Sequence, residues 1–434
     1  MTDWIGGKGT SDVSTEMVEI ERSKRDALAF LTGREREVID LTERLIAAPS
    51  ENLPGDETAP AAVVTKALAA LGLPAPVVVA AEPHRPNLLV RIDGAQPGPH
   101  LGLCGHLDTK PVGEAAAEWR SDPFAATAEG DRLYGLGSTD MKGAVAAMVY
   151  AGAAFASVAD RAAGSLTLIF TADEEYGSTK GAEFLVKSNA LDVDAIVLGE
   201  ASGVHTDWEA IRIVSRGFSG FKVTVRGTQM HSSISDVMPS VNAVEAMGHV
   251  LSGMRQALHL RSPAHPLCPN GPTLNIGVRA QGGVGYGVLP GYAEFWSDIR
   301  TTPGMTQDAL KEDVEAALAR LRPEALGAEV AMEFAPGLGW LAPTEVPPDN
   351  PMVRACQIAA AEILGASPPL GAFPGASDAW PFQGMGGIPT IAGFGPGLLP
   401  LAHGPNEWVS QTAVIQASKI YALTALAYGA GSTS

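Results

Sequence analysis

Cysteine is scarce in this 434-residue chain: Cys104, Cys268 and Cys356 are odd in number and far apart, which excludes a disulfide framework and fits a reducing compartment. Long apolar runs are missing as well, none approaching the roughly 20 residues that span a bilayer. The opening residues 1–15 are polar and lack the basic-then-apolar order of a secretion signal, so a cytoplasmic protein is expected. Positive charge is short too, with 30 Lys and Arg against 48 Asp and Glu and a formal net charge of −18. That balance excludes nucleic-acid partners, which are bound by neutralising phosphates. It also means that a substrate carboxylate needs a local cation, for which Arg300 is the candidate. What the chain has is 46% hydrophobic residues and a length that calls for two domains or more.

Helical periodicity over 16–48 is broken at Thr32-Gly33 and stopped at Pro49-Ser50. Short apolar strands then alternate with Ala-rich helices: strands at 87–92, 101–104, 166–171 and 195–198, helices at 61–71, 143–157 and 181–187. Such alternation predicts an α/β sheet flanked by helices. After residue 211 the order becomes strand 218–226, helix 241–254, strands 273–279 and 293–300, helix 307–321 and strand 328–334. This βαββαβ order predicts an inserted ferredoxin-like α+β domain. No internal repeat stands out, and the Ala and Pro clusters near 59–62 and 336–351 are loops or domain joints. Gly135-Leu136-Gly137 lacks the third glycine and the distant acidic residue of a dinucleotide loop.

The chemistry begins at Gly105-His106-Leu107-Asp108, where a His and an Asp two apart on a strand project from one face as the strand leaves the core. Four more segments carry Asp140, Glu174-Glu175, Glu200 and His403. Taken singly, a His beside an Asp is a common structural pair and an acidic run a common solvated face. Three of the segments follow apolar runs that read as strands, however, and ligands gather at such strand ends. Mixed imidazole and carboxylate donors without thiolate suit zinc, cobalt or manganese in a catalytic site.

In their order, Gly105-His106-Leu107-Asp108-Thr109, Asp122-Pro123-Phe124, the 134–143 segment, the 171–177 segment and His403 to Glu407 resemble a di-zinc family. It is the metallopeptidase and deacylase family of succinyl-diaminopimelate desuccinylase, acetylornithine deacetylase, aminoacylase and glutamate carboxypeptidase. The resemblance covers most of the chain from about residue 34, leaving much of 1–33 as an extension. It implies an α/β/α catalytic domain with a mixed sheet, made of residues 1–211 and 336–434, and a lid and dimerisation domain at 212–335. It implies two divalent ions per chain: His106 and Glu200 on one, Glu175 and His403 on the other, Asp140 bridging. Asp108 would orient the His106 ring, and Glu174 would act as general base on a water activated between the metals. His231 would donate to the oxyanion of a partner subunit's site, and Arg300 would clamp a substrate carboxylate. Ser377 and Asp378 resemble a substrate-binding loop, with Trp380 and Phe382 as candidate pocket walls. One departure is Gly287, where the family commonly carries Asn.

The resulting expectation is a metal-dependent hydrolase of the amide bond of an N-acyl amino acid or related small substrate. A carboxypeptidase or dipeptidase with the same centre is the alternative among enzymes, and a metal-bound inactive binding or assembly protein the alternative outside them. The free base Glu174 speaks against the last.

Overall fold

The structure is a computed structural model that describes residues 10–431; the polar stretch 1–9 lies outside the described residues. The chain forms two compact units, the first built from residues up to Ile213, Glu345–Phe373 and Ser377 onward, the second from Val214–Thr344 with Pro374–Ala376.

In the first unit the helical N-terminal stretch divides where expected, into Thr10–Leu31 and Glu35–Ile46, with Gly33 between them at φ +85°. That left-handed conformation strains any residue with a Cβ, which is why the break falls at a glycine. The central sheet has six strands in the order Val77–Ala80, Pro86–Asp93, Ala163–Thr171, Gln96–His106, Ala195–Leu198 and Thr390–Ile391. The first two pairings are antiparallel and the other three parallel, so the sheet is mixed. Its two faces follow from side-chain alternation. Cys104, Ile169, Ile196 and Leu198 pack with Ala182, Leu185 and Phe382 on one side. Leu168 and Ile92 press from the other face on Gly152 of the helix Gly143–Ala156, where a Cβ would come within 2.8 Å of Leu168. The sheet is thus covered on both faces, and residues 101–105, 168–170 and 195–198 of its parallel strands are continuous apolar runs rather than alternating.

Two helices, Pro351–Leu364 and Gln411–Gly429, had no counterpart in the sequence reading. The second is buried along nearly its whole length, so it carries no polar face from which a 3.6-residue period could be read. A short antiparallel set, Thr127–Glu129, Arg132–Tyr134 and Trp408–Ser410, was equally silent. No helix among the described residues is long and apolar enough to cross a membrane.

The second unit has the βαββαβ order read from the sequence. Its antiparallel sheet runs Thr273–Gly282, Tyr292–Thr301, Gly217–Arg226 and Glu329–Phe334. Alternate residues Phe221, Val223 and Val225 meet Phe295 and Ile299 on one face and bury against Met247, Val250, Leu310 and Val314 of two helices. Residues 336–344, expected in the other domain, stay with this unit. Phe218 bridges Leu341, the Gly220 amide donates to the Leu338 carbonyl at 2.8 Å, and the Ser219 hydroxyl to the Gly339 carbonyl at 2.6 Å. Backbone pairing along the first strand, invisible in a Pro- and Gly-rich segment, moves the boundary.

Candidate active site

Three neighbouring parallel strands end together in the first unit. His106 lies opposite Thr171, and Cys104 opposite Leu198, so His106 and Glu200, each two residues further on, leave the sheet at one level. The turn Glu174–Tyr176 begins after only Ala172 and Asp173 have followed Thr171. Convergence at the carboxyl ends of parallel strands therefore comes from register.

Asp140 sits between two imidazoles: His106 Nε2 is 2.9 Å from its Oδ1, and His403 Nε2 is 3.1 Å from its Oδ2. His403 Nε2 is also 3.1 Å from Glu175 Oε2, and His106 Nε2 is 3.7 Å from Glu200 Oε1. Donor atoms of His106, Asp140 and Glu175 lie within 4.8 Å of one another, as do those of His106, Glu174 and Glu200. All six predicted residues of the centre are brought together.

The ring of His106 is fixed differently from expectation. Its Nδ1 lies 3.0 Å from the carbonyl oxygen of Asp108 and 3.6 Å from the Asp108 carboxylate. The carboxylate is taken up elsewhere, accepting from Asn52 Nδ2 at 2.9 Å and from the amides of Glu174 and Glu175, each at 3.1 Å. Asp108 thus orients the ring with its backbone and holds the turn of the two glutamates with its side chain. A carbonyl only accepts, so Nδ1 carries the ring proton, and in the neutral ring Nε2 presents a lone pair to Asp140. Two acceptors at 2.9 Å need a proton or a cation between them.

Charge in this cluster is unbalanced. Burial and the charge of Asp140 push Glu200 well above the usual carboxylate range, and burial with the charge of Glu200 does the same to Glu174. Burial works against the charged form of His403, yet its hydrogen bonds to Asp140 and Glu175 hold its pKa up at about 10. Buried Oε1 of Glu175 has no hydrogen-bond partner. Orphaned carboxylate oxygen, paired imidazoles and a carboxylate offering one oxygen to each ring fit two divalent cations.

The support beneath is polar and was largely missed by sequence reasoning. Buried Glu407 accepts from the amides of Gly137 and Thr139, each at 2.8 Å, and of Asp140 at 3.0 Å; burial, then the charge of Asp140, raise its pKa to about 8. Asp173, at φ +64°, accepts from Asn52 at 3.1 Å, Arg85 at 2.8 Å, Thr179 at 2.9 Å and the Lys180 amide at 3.0 Å. Arg85 also pairs with Glu57 at 2.9 Å. Glu407 and Asp173 lie inside the quoted motifs, and their acidity beside the expected ligands was the available signal. Asn52 and Arg85 offered none, being remote in the chain from what they hold.

Ser377 and Asp378, expected to touch substrate, are buried at 5% and 2% relative exposure. Asp378 accepts from Thr171 at 2.8 Å and Ser178 at 2.5 Å, and burial raises its pKa to about 6. The Ser377 hydroxyl accepts from the Ala379 amide at 3.4 Å. Both are spent on the chain's own groups, because the turn they occupy runs through the interior. Phe382 is core and Trp380 is partly exposed.

His231 and Arg300 belong to the second unit. His231 is exposed, and its Nδ1 accepts from the Ser233 amide at 3.2 Å, which leaves Nε2 as the ring's N–H. Arg300 is half-buried, its guanidinium 4.9 Å from the ring centroid of Phe218. Gly287 adopts φ +80° and a Cβ there would meet nothing within 4 Å.

Known proteins resemble this chain in sequence and in fold. Residues 102–427 match the model of Peptidase family M20/M25/M40. A succinyl-diaminopimelate desuccinylase of Rhizorhabdus wittichii is 34% identical over 267 residues, 60% of this chain and 67% of that protein. An acetylornithine deacetylase of Salmonella arizonae is 32% identical over 313 residues, 71% and 75% of the two chains. In three dimensions, an M20 family metallo-carboxypeptidase from Sulfolobus solfataricus superposes with a TM-score of 0.72 at 19% identity, over 91% of this chain and 99% of that one. With the family model spanning most of its length and amide hydrolases among its relatives, the chain belongs to Peptidase family M20/M25/M40.

Proposed function

We propose that this protein hydrolyses the amide bond of an N-acyl amino acid or a related small substrate, using two divalent ions and Glu174 as general base. The observation that carries the reading is Asp140, which turns one oxygen to His106 and the other to His403 beside the partnerless Oε1 of Glu175. His106 and Glu200 would hold one ion, Glu175 and His403 the other, with Asp140 between them. Zinc fits best, with cobalt or manganese as alternatives, since every donor is imidazole or carboxylate. Bound there, such ions polarise the scissile carbonyl and acidify a water molecule.

The chain's own residues do the rest. Glu174, beside Glu200 and His106 but left off the metals in this scheme, takes the water's proton and delivers it to the departing nitrogen as the C–N bond breaks. Asp108 holds the amides of Glu174 and Glu175, and Glu407 holds that of Asp140, so both sides of the centre are positioned by hydrogen bonds at the backbone. The second unit would form a homodimer and cover the substrate, with His231 Nε2–H as oxyanion donor to a partner's site and Arg300 as carboxylate contact. The protonated Nε2 of His231 supports that role. The match to a desuccinylase and a deacetylase speaks for an acyl amino acid as this chain's substrate, with carboxypeptidase or dipeptidase action by the same centre as the second reading.

Elemental analysis after zinc reconstitution, with a panel of N-acetyl, N-succinyl and N-carbamoyl amino acids and dipeptides, tests this reading. Up to two ions per chain are expected, and hydrolysis that chelation abolishes and zinc or cobalt restores. Absence of stoichiometric metal, or no hydrolysis across the panel, would overturn it. A fully active monomer would remove the role given to His231 across a dimer.

A further inference from the structure

Lys110 stands beside the candidate centre with a job that the hydrolytic scheme leaves unassigned. Its Nζ donates to the Glu175 carbonyl and lies 3.3 Å from Glu175 Oε2, with 35% of its side chain exposed. That same Oε2 is 3.1 Å from His403 Nε2. One carboxylate oxygen is therefore shared by an ammonium and by the imidazole with which it would hold a divalent ion.

A divalent ion held by Glu175 and His403 would neutralise the carboxylate that now faces Lys110 and put like charge near the ammonium, a repulsion that partial burial strengthens. The side chain is long, flexible and open to solvent, so the ammonium is free to turn to another anion. Neighbouring cations are committed: Arg85 to Glu57 and Asp173, and buried Lys142 to the Ala48 carbonyl at 2.9 Å. In a chain of net charge −18 that repels anions at long range, a local cation next to the reacting bond has a large effect on which acids bind.

Building on the two-metal reading above, we propose that Lys110 binds an anionic group of the substrate and so favours acyl groups ending in a carboxylate over neutral acyl groups on the same amino acid. The contrasting role, a mere neutraliser of the acidic cluster, would alter metal binding without discriminating between substrates.

The experiment compares zinc-loaded wild type, Lys110→Met and Lys110→Arg. The readouts are kcat and KM for N-succinyl and N-acetyl derivatives of one amino acid, zinc content, and succinate binding by calorimetry, which needs no turnover. In Lys110→Met the ratio of kcat/KM for the succinyl over the acetyl substrate should fall about tenfold or more, mainly through KM. Succinate affinity should drop by a similar factor, and Lys110→Arg should retain most of both. An unchanged ratio with unchanged succinate affinity overturns the proposal, as does a wild type without preference for the succinyl substrate. A loss of zinc that slows both substrates equally also overturns it, in favour of the neutraliser. If wild type binds no zinc and cleaves neither amide, the two-metal reading falls and this one with it. If zinc binds and amides are cleaved with an unmoved ratio, only the role of Lys110 falls.

Discussion

Two groups of carboxylates lie side by side in the first unit and are treated in opposite ways. Asp108, Asp173, Asp378 and Glu407 are solvated by the protein itself, through amides, hydroxyls, Asn52 and Arg85. Asp140, Glu175 and Glu200 instead face imidazoles or the half-buried Lys110, and Glu175 keeps an oxygen with no partner. Burying an anion is tolerable when fixed dipoles replace water and costly when they do not. The first group therefore reads as framework, complete in the folded chain, and the second as a receptor for positive charge still to arrive.

The largest effect expected from this contrast is on turnover. Glu174→Gln should keep the metal content of wild type and lose about a thousandfold in kcat, since nothing then takes the water's proton. Glu175→Gln should lose one ion first and regain part of its activity with excess zinc. A metal-replete, active Glu174→Gln enzyme would remove the proposed base.

Stability should separate the groups next. Glu407→Ala strands three buried amides, and chemical denaturation of the metal-free protein should show a loss of about 3 kcal/mol or more. Glu175→Ala in the same metal-free background should cost far less or even stabilise, because it removes a buried charge whose Oε1 has no hydrogen bond. Equal losses in the two variants would dissolve the distinction.

Arg85→Met should be slightly milder, near 3 kcal/mol, because it leaves the buried charges of Glu57 and Asp173 without their cation. Its unfolding curve, with the zinc affinity of the folded variant, checks whether this network also positions the two glutamates.

The smallest change, taken per pH unit, is a pH dependence at Glu57. Burial, then the charge of Asp108, raise its pKa from 4.5 to about 7, since Arg85 only partly offsets them. The folded state thus holds the proton more tightly than the unfolded chain. Its contribution is complete below pH 4.5 and is lost as pH rises through about 7. Within that window stability should fall by at most about 1.4 kcal/mol per pH unit from this group. Glu57→Gln should flatten the slope, as followed by denaturation of the metal-free protein at several pH values.

Much of this could be read before the fold was known. Helical period and short apolar runs located the four inner strands of the sheet in the first unit, though not its edges Val77–Ala80 and Thr390–Ile391, and the βαββαβ order of the second. The six residues of the centre were legible because their motifs stand in the order of a known metallopeptidase and deacylase family, and that resemblance supplied the roles proposed for them. The partners Asn52 and Arg85 were not legible, since they act on groups remote in sequence through hydrogen bonds that no local pattern encodes. Helix Gln411–Gly429 escaped for the converse reason, being buried on every side. Ser377 and Asp378 were expected at the substrate through resemblance to a family binding loop, whereas here their polar atoms meet interior hydroxyls and an amide.

Side-chain type and spacing along the chain determined which atoms are able to bind metal and move protons. Tertiary structure alone decided that Asp108 holds His106 by its carbonyl and the two glutamates by its carboxylate, and that Lys110 lies against Glu175. The reason is physical: donor identity is a property of each residue, but the partner of a buried polar group is set by which segments the packing brings within hydrogen-bond reach.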